Sequence, residues 1–248
     1  MVVSDNVGNG MMNTTRFSAI YSVQIRLSRE VNLNAGFEGT FHQQKIKSEQ
    51  LIFRDMIDPL TGSVNPANSV EQPIDNPTVT AADFSAGLLL GIGKKYFIGA
   101  ATHHLTQPVL EFYNNSKNNL LYRKYTLHAG ARFDLGGGGY NRQDNNFVLS
   151  PNIMYLYQQS AQQINVGVYL EKSPLTAGIW YRHNIDNSDG AIFVIGLAHK
   201  RLKIGYSYDV TLSELKGTTG GAHEVSLAFL FNCDKKRNKP GAIKCPEF

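Results

Sequence analysis

Long runs in which apolar and polar side chains alternate residue by residue restrict the fold of this chain more than any other feature. From Arg16 to Leu27, one face carries Phe17, Ala19, Tyr21, Val23, Ile25 and Leu27. The other carries Arg16, Ser18, Ser22, Gln24 and Arg26, with Ile20 as the exception. The next run sets Val31, Leu33, Ala35, Phe37, Gly39 and Phe41 against Asn32, Asn34, Gly36, Glu38, Thr40 and His42. Successive side chains of a strand point to opposite faces, so a period of two means a strand with one oily side.

Further runs follow at Asp83–Ile92, Tyr96–Leu105, Tyr122–Asp134, Asn146–Tyr157, Gln162–Glu171, Leu175–His183, Ala191–His199, Arg201–Thr211 and Ala222–Phe231. Met1–Asp5 reads like the end of one more, which suggests that the chain is an N-terminally truncated piece of a longer precursor. The total is about 12 strands, mostly about ten residues or longer, against a usual five or six in globular sheets and about 9–11 for a tilted membrane-spanning strand. The connections alternate in length. Ser28-Arg29-Glu30, Gly93-Lys94-Lys95, Lys172-Ser173-Pro174 and Lys200 are tight turns, whereas Ile46–Ala82, Thr106–Leu121, Asn184–Gly190 and Leu212–Gly221 are longer loops. Outer-membrane barrels have short periplasmic turns and long outer loops. Gly136–Asn145 and Gln158–Ala161 break the alternation. The expected fold is therefore all-β, an antiparallel transmembrane β-barrel of the outer-membrane type over residues 1–231, with residues 232–248 as a periplasmic C-terminal tail.

Composition agrees. The chain has 248 residues, 42% apolar, and only 18% are charged, below the soluble average of about 25%. No stretch approaches the roughly 18 apolar residues of a membrane-crossing helix. The mean hydropathy of −0.25 does not exclude a membrane barrel, whose alternating strands average out. A net charge of +4 is too mild to imply nucleic acid, and none is expected as a partner. The basic run Lys235-Lys236-Arg237-Asn238-Lys239 reads as a solvated tail. Cys233 and Cys245 stand near the C-terminus. A periplasmic setting permits a disulfide between them, and two separate thiols fit the spacing as well.

Chemistry-bearing motifs are thin. His103-His104 lie next to each other on a strand pattern, so they are expected on opposite faces and off a shared metal. His223-Glu224 lacks the second histidine of a zinc-protease helix and sits on a strand pattern. Asp55, Asp58 and Asn65 in the long loop match no Ca²⁺-binding spacing, and structured turns are the expected role. Gly136-Gly137-Gly138-Gly139 is followed by no Lys-Ser or Lys-Thr and reads as a flexible turn rather than a phosphate loop. No nucleophile elbow or catalytic triad is present, so no enzyme, cofactor or metal is expected. Tyr155, Tyr157, Tyr169, Trp180, Tyr181, Tyr206, Tyr208, Phe229 and Phe231 are candidates for interfacial aromatic girdles.

Several segments resemble the PorP/SprF family of type IX secretion system membrane proteins. They are Leu51-Ile52-Phe53-Arg54-Asp55-Met56-Ile57-Asp58-Pro59, Asp83-Phe84-Ser85-Ala86-Gly87, His103-His104-Leu105-Thr106-Gln107-Pro108 and Lys124-Tyr125-Thr126-Leu127-His128-Ala129-Gly130. Gly205-Tyr206-Ser207-Tyr208-Asp209, Gly221-Ala222-His223-Glu224-Val225-Ser226-Leu227 and the terminal Cys245-Pro246-Glu247-Phe248 follow in order. Against the signal peptide, further N-terminal strands and early Asn-Pro-Ala-type segment of family members, this sequence is expected to be an N-terminally truncated member. The resemblance implies an outer-membrane barrel of the Bacteroidota, partnered by outer-membrane lipid, other type IX components and secreted cargo with a C-terminal targeting domain, including gliding adhesins. No catalytic residues come with it. The expected role is export or surface anchoring of cargo, with Lys244, Cys245, Pro246 and Phe248 as the partner-binding tail. A porin or hydrophobic-substrate channel is the alternative, and a soluble β-barrel binding module a third reading.

Overall fold

The computed structural model describes residues 1–47, 51–70, 74, 76–112, 119–136, 147–185, 190–212 and 221–231. The basic run, Cys233, Cys245 and the rest of the tail lie outside the described residues, as do Gly137, Gly138 and Gly139 of the glycine run. Apart from two 3-10 turns, the regular structure is strand throughout: β1 (Val2–Val7), β2 (Met12–Arg26), β3 (Val31–Ile46), β4 (Thr78–Ile92), β5 (Tyr96–His103), β6 (Lys124–Ala131), β7 (Phe133–Asp134), β8 (Val148–Gln158), β9 (Ala161–Lys172), β10 (Leu175–Asn184), β11 (Gly190–His199), β12 (Leu202–Thr211) and β13 (Ala222–Phe229). They hydrogen-bond in sequence order as one sheet, with β7 beside β8. Among the described residues, β1 pairs only with β2 and β13 only with β12.

The differences from the sequence reading have local causes. The strand pattern at Met1–Asp5 is a full hairpin arm: Val2 to Val7 pair with Phe17 to Met12, and Gly8, Asn9 and Gly10, all at positive φ, make the turn. Strand β4 starts at Thr78, five residues before its alternation becomes regular, and so shortens the long loop before it. The run Tyr122–Asp134 is two strands. The ladder against β8 breaks between Gly130↔Asn152 and Phe133↔Leu149, beside Pro151, which has no N–H to donate. Gln159 and Ser160 form a two-residue turn between β8 and β9, with Gln159 at positive φ.

Contacts group the chain into two units. The first is Met1–Tyr21, Gly36–Ala86 and His103–Arg123; the second is Ser22–Ala35, Gly87–Thr102 and the chain from Lys124 on. In the second unit, Phe133, Leu149, Leu170, Ala177, Ile195, Tyr206 and Val225 are successive cross-strand partners, so seven strands carry one unbroken, nearly all oily row. The row beside it, from Pro151 through Val168, Ile179, Phe193 and Tyr208, continues the same face. This face is exposed: Ile179 by 48%, Phe193 by 49% and Ile195 by 55%. The opposite face buries Ser150, Asn152 and Thr176.

The first unit is built the same way. Phe17, Phe37, Phe41 and Phe84 are exposed while Asp83 is buried, and Phe37 stacks on Phe84 at 5.6 Å between ring centroids. Across the described residues, the buried apolar side chains are Met56, Val79 and Val148 alone. A water-soluble sheet hides its oily face; here the shielded face is the polar one, and the oily face needs an apolar solvent.

Candidate functional site

In the long connections of the first unit, short-range hydrogen bonds fold the described residues. In the loop between β3 and β4, Phe53 and Met56 close a 3-10 turn at Arg54–Met56, and Met56 is the buried centre. Ile57 bridges to Val64. The Asp58 carboxylate accepts from Leu60 N at 2.8 Å and from Thr61 N at 3.3 Å, folding Asp58-Pro59-Leu60-Thr61-Gly62 into a turn. These bonds, the Leu60 amide first, hold the Asp58 carboxyl below the usual carboxylate range. Asn65 Oδ1 accepts from Ala67 N to cap the second 3-10 turn, and Asp55 Oδ2 accepts from Val70 N at 2.6 Å. Asp55, Asp58 and Asn65 are thus used on their own loop, as expected of turn residues. No group of three or more metal-ligating side chains occurs among the described residues.

The second long loop, after β5, is fastened at its base. Asp83 of β4 lies buried, and its two carboxylate oxygens hold two loop residues: Oδ2 lies 2.6 Å from His104 Nδ1, and Oδ1 accepts from Thr106 Oγ1 at 2.7 Å. Leu105 N donates to Phe84 O and Arg123 Nε to Leu105 O. Further out, Val109 bridges to Leu120. The two loops are then joined by Asn76 N donating to Phe112 O at 3.0 Å. What the first of these loops exposes is partly apolar: Leu60 is 94% exposed and Val70 86%.

His103 and His104 depart from the expectation of opposite faces. The strand ends at His103, and His104 adopts φ +58°, so alternation stops there; the rings are neighbours, 6.5 Å apart between centroids. His104 serves Asp83. Alternation alone misses this use, although Asp83 and the His-His-Leu-Thr segment were both visible as distinctive.

In the second unit the polar face is cross-linked by ion pairs. Arg182 grips Asp209 through two parallel bonds, Nη1 to Oδ2 at 2.6 Å and Nη2 to Oδ1 at 3.0 Å. Arg132 Nη1 reaches both oxygens of Glu171, at 3.1 and 2.9 Å. His223 lies on β13, where its Nδ1 is 2.7 Å from the Tyr206 hydroxyl and its ring stacks on Tyr208. Two of the expected girdle aromatics are misplaced. Tyr169 and Trp180 face the polar side, paired edge to face at 5.8 Å, because their cross-strand partners Gly178 and Gly167 leave room for them there. Tyr181, Tyr206 and Phe229 are exposed on the oily face as expected.

An antiparallel sheet that turns its apolar side chains outward and keeps carboxylates, guanidinium groups and amides on its shielded side is a membrane-embedded β-structure. The family model for the type IX secretion system membrane protein PorP/SprF matches residues 1–229. The chain belongs to the PorP/SprF family. A comparison with curated proteins gives no match.

Proposed function

We propose that this protein is a non-enzymatic outer-membrane component of the type IX machinery that helps to export cargo proteins or hold them at the cell surface. The described residues of the two long loops carry this reading. Long connections of this kind are commonly functional, and the carboxylates of Asp58 and Asp55 hold the exposed Leu60 and Val70 by their backbone amides. In this reading the two long loops face outward and bind cargo bearing a C-terminal targeting domain. The short turns and the tail Asn232–Phe248 face the periplasm, where Lys244, Cys245, Pro246 and Phe248 contact other machinery components. The test is to replace residues 58–62 with a Gly-Ser linker and measure cargo retained on intact cells. Retention at the unaltered level removes the loop from the mechanism; deletion of residues 232–248, scored the same way, examines the tail.

A diffusion channel is the second reading, favoured by the polar face and its cleft lined by Lys124, Gln158, Gln162, Gln163 and Asn184. Planar-bilayer conductance separates the two. A steady open pore supports the channel, and a closed baseline with cargo loss in the loop variant supports the secretion role.

A further inference from the structure

The polar face of the second unit carries a cleft whose lining includes none of the ion-paired residues described above. Its volume is about 290 Å³; Asn165, Tyr169, Trp180, Ser207 and Glu224 line it, with Ile192 and Val194 of β11 as an apolar floor between Trp180 and Ser207. Trp180 is its platform. A side chain at Gly167 would run into Trp180 Cδ2 first, then Cγ and Cε2. Cδ2 is a ring-fusion carbon with no open in-plane side, so the indole lies face down on the glycine and turns its other face to the cleft. Tyr169 stands at 70° to it and forms a wall. Polar groups flank the platform: Ser207 Oγ donates to Glu224 Oε2 at 3.3 Å two and three strands to one side, and Asn165 is on β9, the neighbouring strand on the other side.

Register sets the length of what would fit. Trp180 is on β10 and Glu224 on β13, three strands away, or roughly 14 Å at about 4.8 Å per strand. A single ammonium group over the indole cannot also reach that carboxylate. Among the described residues of the lining, Glu224 is the one charged group, which disfavours a phosphorylated or sulfated ligand. An acyl chain would leave Ser207, Ser226 and Glu224 desolvated.

We infer that this cleft binds a neutral oligosaccharide of two or more rings. One pyranose lays its C–H face on the indole of Trp180 against the edge of Tyr169. Asn165, on β9 beside the platform, exchanges hydrogen bonds with the hydroxyls of that ring, and the hydroxyls of the next ring, on the other side, donate to Glu224 and exchange hydrogen bonds with Ser207. No covalent step is involved.

Trp180 is the one tryptophan of the chain, so intrinsic tryptophan emission reads this site alone. The full-length protein is to be purified in lauryldimethylamine oxide, which has no sugar headgroup, and titrated with maltotriose, cellotriose and N,N′,N″-triacetylchitotriose. A saturable emission change with at least one sugar is expected. By calorimetry, Trp180→Leu abolishes its binding, and Glu224→Gln and Asn165→Ala each weaken it about tenfold. These two changes sit on the polar rim and keep the test alive should the tryptophan variant fail to fold, which circular dichroism checks. No response to any of the three sugars overturns the inference. So does sugar binding that both rim variants leave unaltered, or saturation by laurate where the sugars give none. The readout is independent of cargo retention, so it stands or falls apart from the secretion role.

Discussion

At Gly167 a methyl group has no place to go, because the indole of Trp180 already occupies the space above its α-carbon. Gly178 serves Tyr169 in the same way, so two glycines and two aromatics form one interlocked cross-strand set. Gly167→Ala is expected to tilt the indole and destabilise the fold by about 1–3 kcal/mol, the range for overpacked sites. Urea unfolding from detergent, followed by tryptophan emission, measures it, and an unshifted midpoint would contradict the packing. Asp58 gives a prediction in pH. Its folded-state pKa lies below the ordinary carboxylate value, so the ionised turn stabilises the loop above that value and loses its hold as pH falls through the lowered one. Amide exchange at Leu60 and Thr61 is expected to stay slow from neutral to mildly acidic pH and to quicken only below the normal carboxylate range. Asp58→Ala should remove that dependence and leave both amides fast throughout.

Among the elements, the strands were legible because a period of two survives wherever one face meets a uniform surrounding; from Gln162 to Thr211 the expected runs and the observed strands nearly coincide. The ends were less so. Strand β4 begins in Thr78-Val79-Thr80, where Thr on the outer side blurs the contrast, and β1 is too short for alternation to declare itself. The break at Arg132 depends on a proline in a different strand, which no local pattern reveals. The fastening of the β5 loop escaped for the same reason: Asp83, His104 and Thr106 come together only through pairing of β4 with β5. Tyr169 and Trp180 were read as girdle residues because aromatics are frequent there, and the glycines opposite them were the missed signal. Asp83→Ala is expected to free the base of the second loop without unfolding the strands. Limited proteolysis should then cut between residues 104 and 123 at least several-fold faster; an unchanged cleavage rate would show that the carboxylate is dispensable.

For the whole molecule, the decisive property is which face is wetted. Ile179 sits mid-strand in an oily row with Val168 and Phe193 on either side. Ile179→Lys is expected to cost about 2–4 kcal/mol when folding is measured in lipid, the range for a cation at mid-bilayer depth on a lipid-facing strand. Gln163→Lys, on the opposite face of β9, should cost far less. Equal costs would mean that the two faces see the same medium, and the membrane reading would fail with them. Cell fractionation gives the coarser check, with the protein expected in the membrane pellet and released by detergent.

The bond from Asn76 to Phe112 ties together two stretches of chain more than thirty residues apart in sequence. A surface made this way is a composite epitope. Antibodies raised against the native protein should bind it and ignore linear peptides copied from either stretch. Conformation-sensitive reagents, rather than peptide antisera, are therefore the ones suited to test whether these stretches are accessible on intact cells.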